Sequence, residues 1–299
     1  MPVLPALPLA EWRDTLATLH MWTQVVGKVR LGLTPLVNHW WNVTLYVTPR
    51  GLTTSAIPYR DTIFDMEFDF VEHGLRIRSS TGAAATVPLF PRPVADFHAE
   101  VLAVLRTLGI DPHVWGTPVE IPDPIPFAQD RTHASYDREH TERFWRILVW
   151  VDDVLKEFRG RFIGKCSPVH FFWGSFDLAV TRFSGRRAPD RPGADAMTRE
   201  AYSHEVISAG FWPGGGTVTA PAFYSYTAPP PAGLAERRVR PAAARYDADL
   251  GEFVLSYDDV RTARAPRDTL LDFLQSTYEA GATLAGWDRA ALERDLPHA

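Results

Sequence analysis

The sequence predicts an α+β protein of two similar halves, each with a helix, an antiparallel sheet and a second helix. Apolar residues recur at spacings of three and four in the long helical segments, and the segments between them alternate apolar with polar residues. The order helix, strands, helix occurs twice along the chain. We therefore expect a first half at residues 1–115, a Pro-rich connector at 116–136 and a second half at 137–299.

The first half shows both periodicities. Apolar residues on a single helical face predict a first helix over residues 12–29. Aromatic and β-branched residues predict a strand at 38–48, and strict alternation in TIFDMEFDF predicts another strand with its Phe side buried. Helical spacing returns over 94–108, and Gly109 is expected to end that helix.

The second half repeats this order. Apolar spacing predicts a helix over residues 141–158 and a closing helix over 267–284. Between them, runs of aromatic and β-branched residues predict strands at 169–182, 206–211, 222–227 and 253–257.

The segment SPVHFFWGSFDLAVTRFSGR places polar groups among aromatic residues. As one strand over 169–182 it puts His170 and Asp177 on opposite faces, unless a bulge at Gly174 brings them to one side. His39 in the first half also points towards the core. A buried imidazole needs partners for both nitrogens, which a metal or a carboxylate could provide. The alternative is a core histidine that donates to a backbone carbonyl.

The two histidine motifs suggest an internal repeat. The interval from His39 to His73 equals the interval from His170 to His204, and a Gly-Lys pair precedes each aromatic motif. Duplication and a chance match both explain this pattern. If the halves are duplicates, they are expected to pack side by side around a shared pocket lined by aromatic side chains.

Composition and charge exclude several classes of protein. The net charge is −5 and no basic run is present, so we expect neither a nucleic-acid partner nor a membrane-surface protein. Cys166 is the single cysteine, which rules out an internal disulfide framework. The longest charge-free run is broken by prolines and glycines, so no membrane span is expected. These features predict a soluble cytoplasmic protein, and the Ala-, Arg- and Pro-rich usage indicates a bacterial source.

The segment EAYSHEVISAGFWPGGG offers candidate metal ligands. His204 and Glu205, together with His170, form a set of two imidazoles and one carboxylate that suits a divalent metal such as iron, zinc or manganese. If the segment is helical, Glu200 and His204 face each other at i, i+4. The alternatives are a solvated helix face, or a metal-free acid–base pair in which Glu205 or Asp177 acts with a histidine.

Other features bear on the substrate and the cofactor. Arg182 follows the predicted strand and could orient an anionic substrate group. The Gly214–Gly216 run lacks the Lys-Ser/Thr of a phosphate loop, and no GxGxxG follows a strand, so no nucleotide cofactor is predicted. The chain has no GxSxG motif, which disfavours an α/β-hydrolase.

The segments GKVRL, NHWWNVTLYVTPRGLTT, SPVHFFWGSFDLAVTRFSGR and EAYSHEVISAGFWPGG resemble an uncharacterised bacterial family catalogued only as a domain of unknown function. The resemblance covers nearly the whole chain and implies no activity. It implies that the family's hallmark segments contain His39, His170, Asp177, Arg182, His204 and Glu205.

We therefore expect an enzyme that acts on a small organic substrate in a buried aromatic pocket, with an anionic substrate as one option. The expected catalytic residues are His170, Asp177, Arg182, His204 and Glu205, of which His170, His204 and Glu205 could bind the metal. The expected pocket residues are His39, Trp40, Trp41, Phe172, Trp173, Phe211, Trp212 and Tyr224. The alternative is a non-catalytic protein that binds a small molecule in the same aromatic cavity.

Overall fold

The computed structural model describes residues 4–216 and 218–294 and shows an α+β protein with two antiparallel sheets. The helices are α1 (Leu9–Leu33), α2 (Val94–Thr107), α3 (Arg138–Gly160), α4 (Ala196–Ala201), α5 (Tyr257–Arg261), α6 (Pro266–Leu284) and α7 (Arg289–Leu292). Two short 3-10 helices span Asn38–Val43 and Phe127–Gln129. The four long predicted helices correspond to α1, α2, α3 and α6.

The first sheet contains six strands: β1 (Tyr46–Val47), β2 (Gly51–Thr53), β3 (Ile57–Tyr59), β4 (Thr62–Asp69), β5 (Gly74–Ser79) and β6 (Ala84–Pro88). Its order is β1-β2-β4-β5-β6, and β3 pairs with β4. The alternation predicted for TIFDMEFDF is present, since Phe64, Met66 and Phe68 are buried. Helices α1 and α2 pack together and contact strands of this sheet.

The second sheet also has six strands: β7 (His170–Phe172), β8 (Asp177–Arg187), β9 (His204–Trp212), β10 (Ala222–Ala228), β11 (Arg245–Asp247) and β12 (Glu252–Ser256). Its order is β11-β12-β10-β9-β8-β7, and every pairing is antiparallel. Helices α3 and α6 contact strands at the centre of this sheet. Side chains alternate between the two faces of each strand, so each strand sends half of its residues away from these helices.

The strand predicted for residues 38–48 is wrong over most of its length. Residues Asn38–Val43 form a 3-10 helix, and only Tyr46–Val47 pairs as a strand. His39 and Trp40 have φ values of 59° and 60°, in the left-handed region that side chains with a Cβ seldom adopt. The aromatic, β-branched composition suggested a strand, but the backbone turns sharply at these two residues.

The single strand predicted for residues 169–182 is a hairpin. Strand β7 ends at Phe172, and a turn in which Phe176 has φ 58° leads into β8 at Asp177. Phe172 pairs directly with Asp177, and His170 pairs with Ala179. Residues opposite each other in an antiparallel pair project to the same face, so His170 and Asp177 share a face. The chain reversal, and not a bulge, brings this about.

The two sheets meet through an antiparallel bridge between Leu45 and Phe171. The order helix, antiparallel strands, helix occurs in each half, but His39 lies in a 3-10 helix whereas His170 lies in a strand. The local structures of the two aligned motifs therefore differ. Among the described residues, no helix is both long enough and apolar enough to span a bilayer.

Candidate functional site

A cavity of about 720 Å³ lies against the second sheet. This volume falls in the range of small-molecule sites. Its floor consists of side chains from four strands of the sheet: Asp177, Ala179, Thr181 and Phe183 of β8, Val206, Ser208 and Trp212 of β9, Tyr224 and Tyr226 of β10, and Glu252 of β12. The remaining walls come from the first 3-10 helix, the connector, the β7–β8 turn and the α4 region.

Asp177 and Tyr224 form the most buried polar contact of the floor. The Tyr224 hydroxyl donates a short hydrogen bond to Oδ2 of Asp177, and the Ser175 hydroxyl donates to Oδ1 at 2.5 Å. Gly210 lies between the two strands that carry Asp177 and Tyr224. A Cβ on Gly210 would lie 2.6 Å from the Tyr224 hydroxyl and 2.3 Å from the Leu178 carbonyl. Glycine is therefore needed here so that Tyr224 can reach across β9.

The environment of Asp177 favours its neutral form. The side chain is buried, and burial raises its pKa, while the hydrogen bonds from Ser175 and Tyr224 oppose that rise only in part. Burial, followed by the charge of Asp177, raises the pKa of Tyr224 well above its ordinary value. The pair is a pre-oriented carboxyl–phenol contact at one end of the cavity.

Two further carboxylates line the same cavity. Burial first, and then the charges of Asp177 and Asp247, raise the pKa of Glu252 to about 7. Its Oε2 is buried and has no hydrogen-bond partner among the described residues. Burial, and then Asp177 and Asp195, also raise the pKa of Glu120. The charge of Asp177 therefore raises the proton affinity of both glutamates that line the cavity with it.

The connector is fixed in place by α1. Gln24 is fully buried, and its side-chain amide makes two hydrogen bonds of 2.8 Å with the backbone N–H and C=O of Val119. The next residue, Glu120, has φ 58°. This turn places the Glu120 carboxylate against Gly174, where an added Cβ would lie 2.3 Å from its Oε1.

Aromatic rings cover much of the cavity wall. Trp212 stacks on Tyr224 with ring centroids 4.2 Å apart, and Tyr226 continues the row at 6.2 Å from Tyr224. The Trp173 indole donates to the Val43 carbonyl at 2.6 Å and lies against Gly27 of α1, where a Cβ would come within 2.4 Å of the ring. These rings are positioned by backbone contacts and provide a rigid apolar surface.

His39 connects the 3-10 helix to α4. Its Nδ1 lies 3.1 Å from the Glu200 carbonyl oxygen, its Nε2 lies 2.7 Å from Nζ of Lys165, and its backbone N–H donates to the Glu200 carboxylate. The pKa of His39 is lowered, first by burial and then by Lys165. The arrangement fits a neutral imidazole whose Nδ1–H donates to the Glu200 carbonyl and whose Nε2 accepts a hydrogen bond from the Lys165 ammonium.

A sequence profile of the family of unknown function DUF5996 matches residues 4–294. The chain belongs to the DUF5996 family. This confirms the resemblance inferred from the hallmark segments. No curated protein and no solved structure gives a significant match to the chain. The DUF5996 description names no activity, so the cavity's own chemistry is what bears on function.

Seven of the eight predicted pocket residues line the cavity of this DUF5996 chain: His39, Trp40, Trp41, Phe172, Trp173, Trp212 and Tyr224. Asp177, a predicted catalytic residue, lines it as well. Phe211 does not, because the alternation of β9 turns it to the opposite face, where it packs against Phe223 and Tyr257.

His170 is buried outside the cavity lining. Its ring lies 5.4 to 5.8 Å from those of Trp41, Tyr46 and Phe172, and its Nε2 is 3.5 Å from the Tyr46 hydroxyl. Burial, and then the charges of Arg30 and Arg159, lower the pKa of His170 to about 3. A histidine that stays neutral across the physiological range is a poor proton shuttle.

Arg182 lies on the face of β8 opposite the cavity. Its guanidinium carbon is 3.5 Å from the ring centroid of Phe158 and 4.4 Å from that of Tyr278, and its Nη2 donates to the Phe158 carbonyl. Arg182 lies five positions after Asp177 in β8, and an odd separation along a strand places two side chains on opposite faces. The arginine expected to orient an anionic group is thus a packed core residue.

The proposed metal set does not come together. The i, i+4 pair predicted for Glu200 and His204 is absent, because α4 ends at Ala201 and His204 begins β9. His204 contacts the Ser203 hydroxyl, and Glu205 pairs with Arg186 at 2.7 Å. Within residues 4–216 and 218–294, no three His, Cys, Asp or Glu side chains are grouped so as to bind a metal ion.

Sequence reasoning missed Glu120 and Glu252. Glu252 immediately precedes the predicted strand at 253–257, and alternation places it on the face opposite Phe253 and Leu255. Glu120 is an acidic residue inside the Pro-rich segment 116–136, which the sequence predicts to be a connector. Only the pairing of β10 with β12, and the Gln24 contact, bring both residues to the wall that carries Asp177.

Proposed function

We propose that this chain is an enzyme that binds a small organic molecule in the cavity and exchanges a proton with it through Glu252. The observation that carries the proposal is a carboxylate with an unpartnered oxygen on the wall of an aromatic cavity, beside the fixed Asp177–Tyr224 pair. A general acid or base works best when its pKa lies near the working pH, and the pKa of Glu252 is about 7.

The remaining residues have supporting roles in this proposal. Asp177 and Tyr224 hold a hydrogen-bonding group at a fixed position on the floor, and the Trp212 ring stacked on Tyr224 excludes water. His170 is not assigned a proton-transfer role, because its low pKa keeps it neutral and it lies outside the cavity lining. No step in the proposal uses a metal ion.

Nitrobenzisoxazole is a suitable probe because it is a small neutral aromatic molecule whose opening reports a carboxylate base in an apolar site. The base takes the ring C–H proton, the N–O bond breaks, and a coloured cyanonitrophenolate is released. We expect turnover by the full chain that rises with pH through about 7, as Glu252 ionises. We expect Glu252→Gln to lower the rate by about 100-fold or more.

Glu236→Gln is the matched control, because Glu236 is exposed and outside the cavity lining. It should leave the rate unchanged. Turnover that survives in Glu252→Gln would contradict the role of Glu252. Saturable binding of the probe without turnover would favour the alternative, a non-catalytic binding protein, which gains support from the fact that both Asp177 oxygens already accept hydrogen bonds.

We also infer that the two halves share this site. The second sheet supplies the floor, whereas the 3-10 helix at Asn38–Val43 and residues Val119 and Glu120 supply part of the wall. The repeated element order supports a duplication. His39 and His170 lie in different local structures, so a duplication would require that the two motifs have since diverged. Sharing predicts that the separate halves do not bind the probe.

A further inference from the structure

The charged residues of the cavity wall are of one sign. Asp195, Glu120, Asp177 and Glu252 line the cavity, and none of the described lining residues is a lysine or arginine. His39 is the basic side chain in that lining, and its contacts with Lys165 and a backbone carbonyl favour the neutral form. Asp195 caps α4 by accepting from Thr198, so its charge has a local structural role.

No cation among residues 4–216 and 218–294 compensates the other three carboxyl groups. Burial and neighbouring carboxylates shift the pKa of Glu120 and of Glu252. The pKa of Asp177 is shifted by burial and by hydrogen bonds from hydroxyl and backbone groups. Buried carboxylates are usually paired with a cation, because an isolated charge in a low-dielectric site is costly. A cationic ligand would provide the missing partner.

The aromatic wall suits the same ligand. The faces of indole and phenol rings attract cations within about 6 Å, and the attraction strengthens when water is excluded. Trp212, Tyr224 and Tyr226 form a stacked row next to Asp177, and Trp173 is held nearby between α1 and the 3-10 helix. Carboxylates beside aromatic faces are a combination that recognises ammonium groups.

We propose that the cavity binds a small organic cation, with its ammonium group near Glu120, Asp177 and Glu252 and its apolar body against the aromatic row. This inference rests on the proposed function, since it assigns a substrate class to the same cavity. A cationic ligand takes the place of the anionic substrate predicted from Arg182, because that arginine lies on the face of β8 that is turned away from the cavity.

The test compares three probes of the same ring and similar size: benzylamine, benzyl alcohol and benzoate. Their affinities for the full chain are measured by calorimetry, with tryptophan fluorescence as a second readout, roughly one pH unit above the Glu252 pKa of about 7. We expect benzylamine to bind about tenfold more tightly than benzyl alcohol, and benzoate to bind most weakly.

The double variant Glu120→Gln/Glu252→Gln removes two charges at nearly constant volume. We expect it to bring benzylamine and benzyl alcohol to within about twofold of each other, while the affinity for benzyl alcohol is retained. Retained benzyl alcohol affinity also shows that the variant is folded. Glu236→Gln should keep the full preference for benzylamine.

The outcomes separate this inference from the proposed function. Equal or tighter binding of benzyl alcohol or benzoate by the parent chain would overturn the cation assignment, as would no benzylamine binding at about 10 mM. Turnover of nitrobenzisoxazole in that case would leave the acid–base proposal standing. A benzylamine preference without any turnover would support the cation assignment and count against the catalytic role of Glu252.

Discussion

Each of the two sheets buries one aspartate, and the two have opposite surroundings. Asp69 at the end of β4 accepts backbone N–H groups of Val71 and Glu72 on Oδ1, and its Oδ2 pairs with Arg50 at 2.6 Å and Arg76 at 2.8 Å. Burial opposes its ionisation, but these four partners outweigh that effect and lower its pKa.

Asp177, at the start of β8, has hydroxyl partners instead of arginines. Burial therefore dominates, and the pKa of Asp177 is raised. The comparison shows how this chain stabilises a carboxylate whose role is structural, namely with cations of its own. Among the described residues that line the cavity beside Asp177 there is no such cation, which supports the proposal that this carboxyl group contacts a ligand.

The largest expected effect is at Asp69. Asp69→Asn would keep the acceptor for the two backbone N–H groups but would turn an amide N–H₂ towards two guanidinium groups. We expect a loss of about 3 kcal/mol in the free energy of unfolding, reduced from the cost of a fully buried pair because both arginines are partly exposed. Urea unfolding at neutral pH measures it.

Because the folded pKa of Asp69 is lowered, its stabilisation is present above the unfolded pKa and is lost as the pH falls through the folded value. The stability difference between the parent and Asp69→Asn should therefore shrink in acid. A difference that is independent of pH would contradict the ion-pair account.

Gly210→Ala is expected to have the next largest effect. The new Cβ would collide with the Leu178 carbonyl, which cannot move without distorting the β8–β9 pairing, and with the Tyr224 hydroxyl. We expect a loss of about 2 kcal/mol and disruption of the Tyr224–Asp177 contact. Thermal unfolding and the nitrobenzisoxazole rate measure the two effects.

Gly174→Ala is the matched control for this steric test. Its Cβ would also make a 2.3 Å contact, but with Oε1 of Glu120, the far end of a flexible side chain. We expect a stability change below about 1 kcal/mol, because the carboxylate can swing away. A Gly210→Ala protein as stable as Gly174→Ala would show that Tyr224 does not depend on the missing Cβ.

The sequence was sufficient for the features that depend on local periodicity. The apolar stripe of α3 and the alternation of β4 each follow from spacing alone. The clusters of aromatic residues also predicted part of the cavity wall, and Trp173 and Trp212 do line it. Large rings with a polar edge favour positions where one side packs and the polar atom finds a partner.

The site's composition depended on long-range pairing, which periodicity does not encode. A hairpin turn at residues 173–176, which periodicity does not predict, places His170 and Asp177 on one face of the sheet. Of these two residues, Asp177 lines the cavity and His170 does not. Glu252 reaches the site across three strand pairings. The candidate metal ligands are not brought together for a related reason. Facing side chains at Glu200 and His204 require one helix over both residues, but α4 ends at Ala201 and β9 begins at His204.

The pH dependence of the Tm of Glu252→Gln tests the electrostatics of the cavity. The folded pKa of Glu252 is about 7 and is raised above its unfolded value, so its contribution to stability is lost as the pH rises from about 4.5 through about 7. The groups that face it are Asp177, Asp247, Tyr224 and Tyr226. Glu252→Gln should raise Tm by roughly 2–5 °C above that window and by less than about 1 °C below it.

Differential scanning fluorimetry across the pH range measures this effect, with Glu236→Gln as the exposed control. A Tm gain that is the same at both ends of the range would mean that the glutamine improves local contacts and does not remove a charge. A loss of Tm at high pH would mean that a cation of the protein pairs with Glu252.

The smallest expected change in stability is at Asp177, although the change in function there should be large. Asn can still accept from Tyr224 and can donate to Ser175, and it removes a buried carboxyl that no cation in the described part of the chain stabilises. We expect Asp177→Asn to alter the free energy of unfolding by less than about 1 kcal/mol at neutral pH, against about 3 kcal/mol for Asp69→Asn, and to weaken benzylamine binding. Urea unfolding of the two variants side by side measures the contrast. Equal losses would mean that Asp177 is a structural residue like Asp69, and the cavity would then lose its central carboxylate as a candidate for ligand binding.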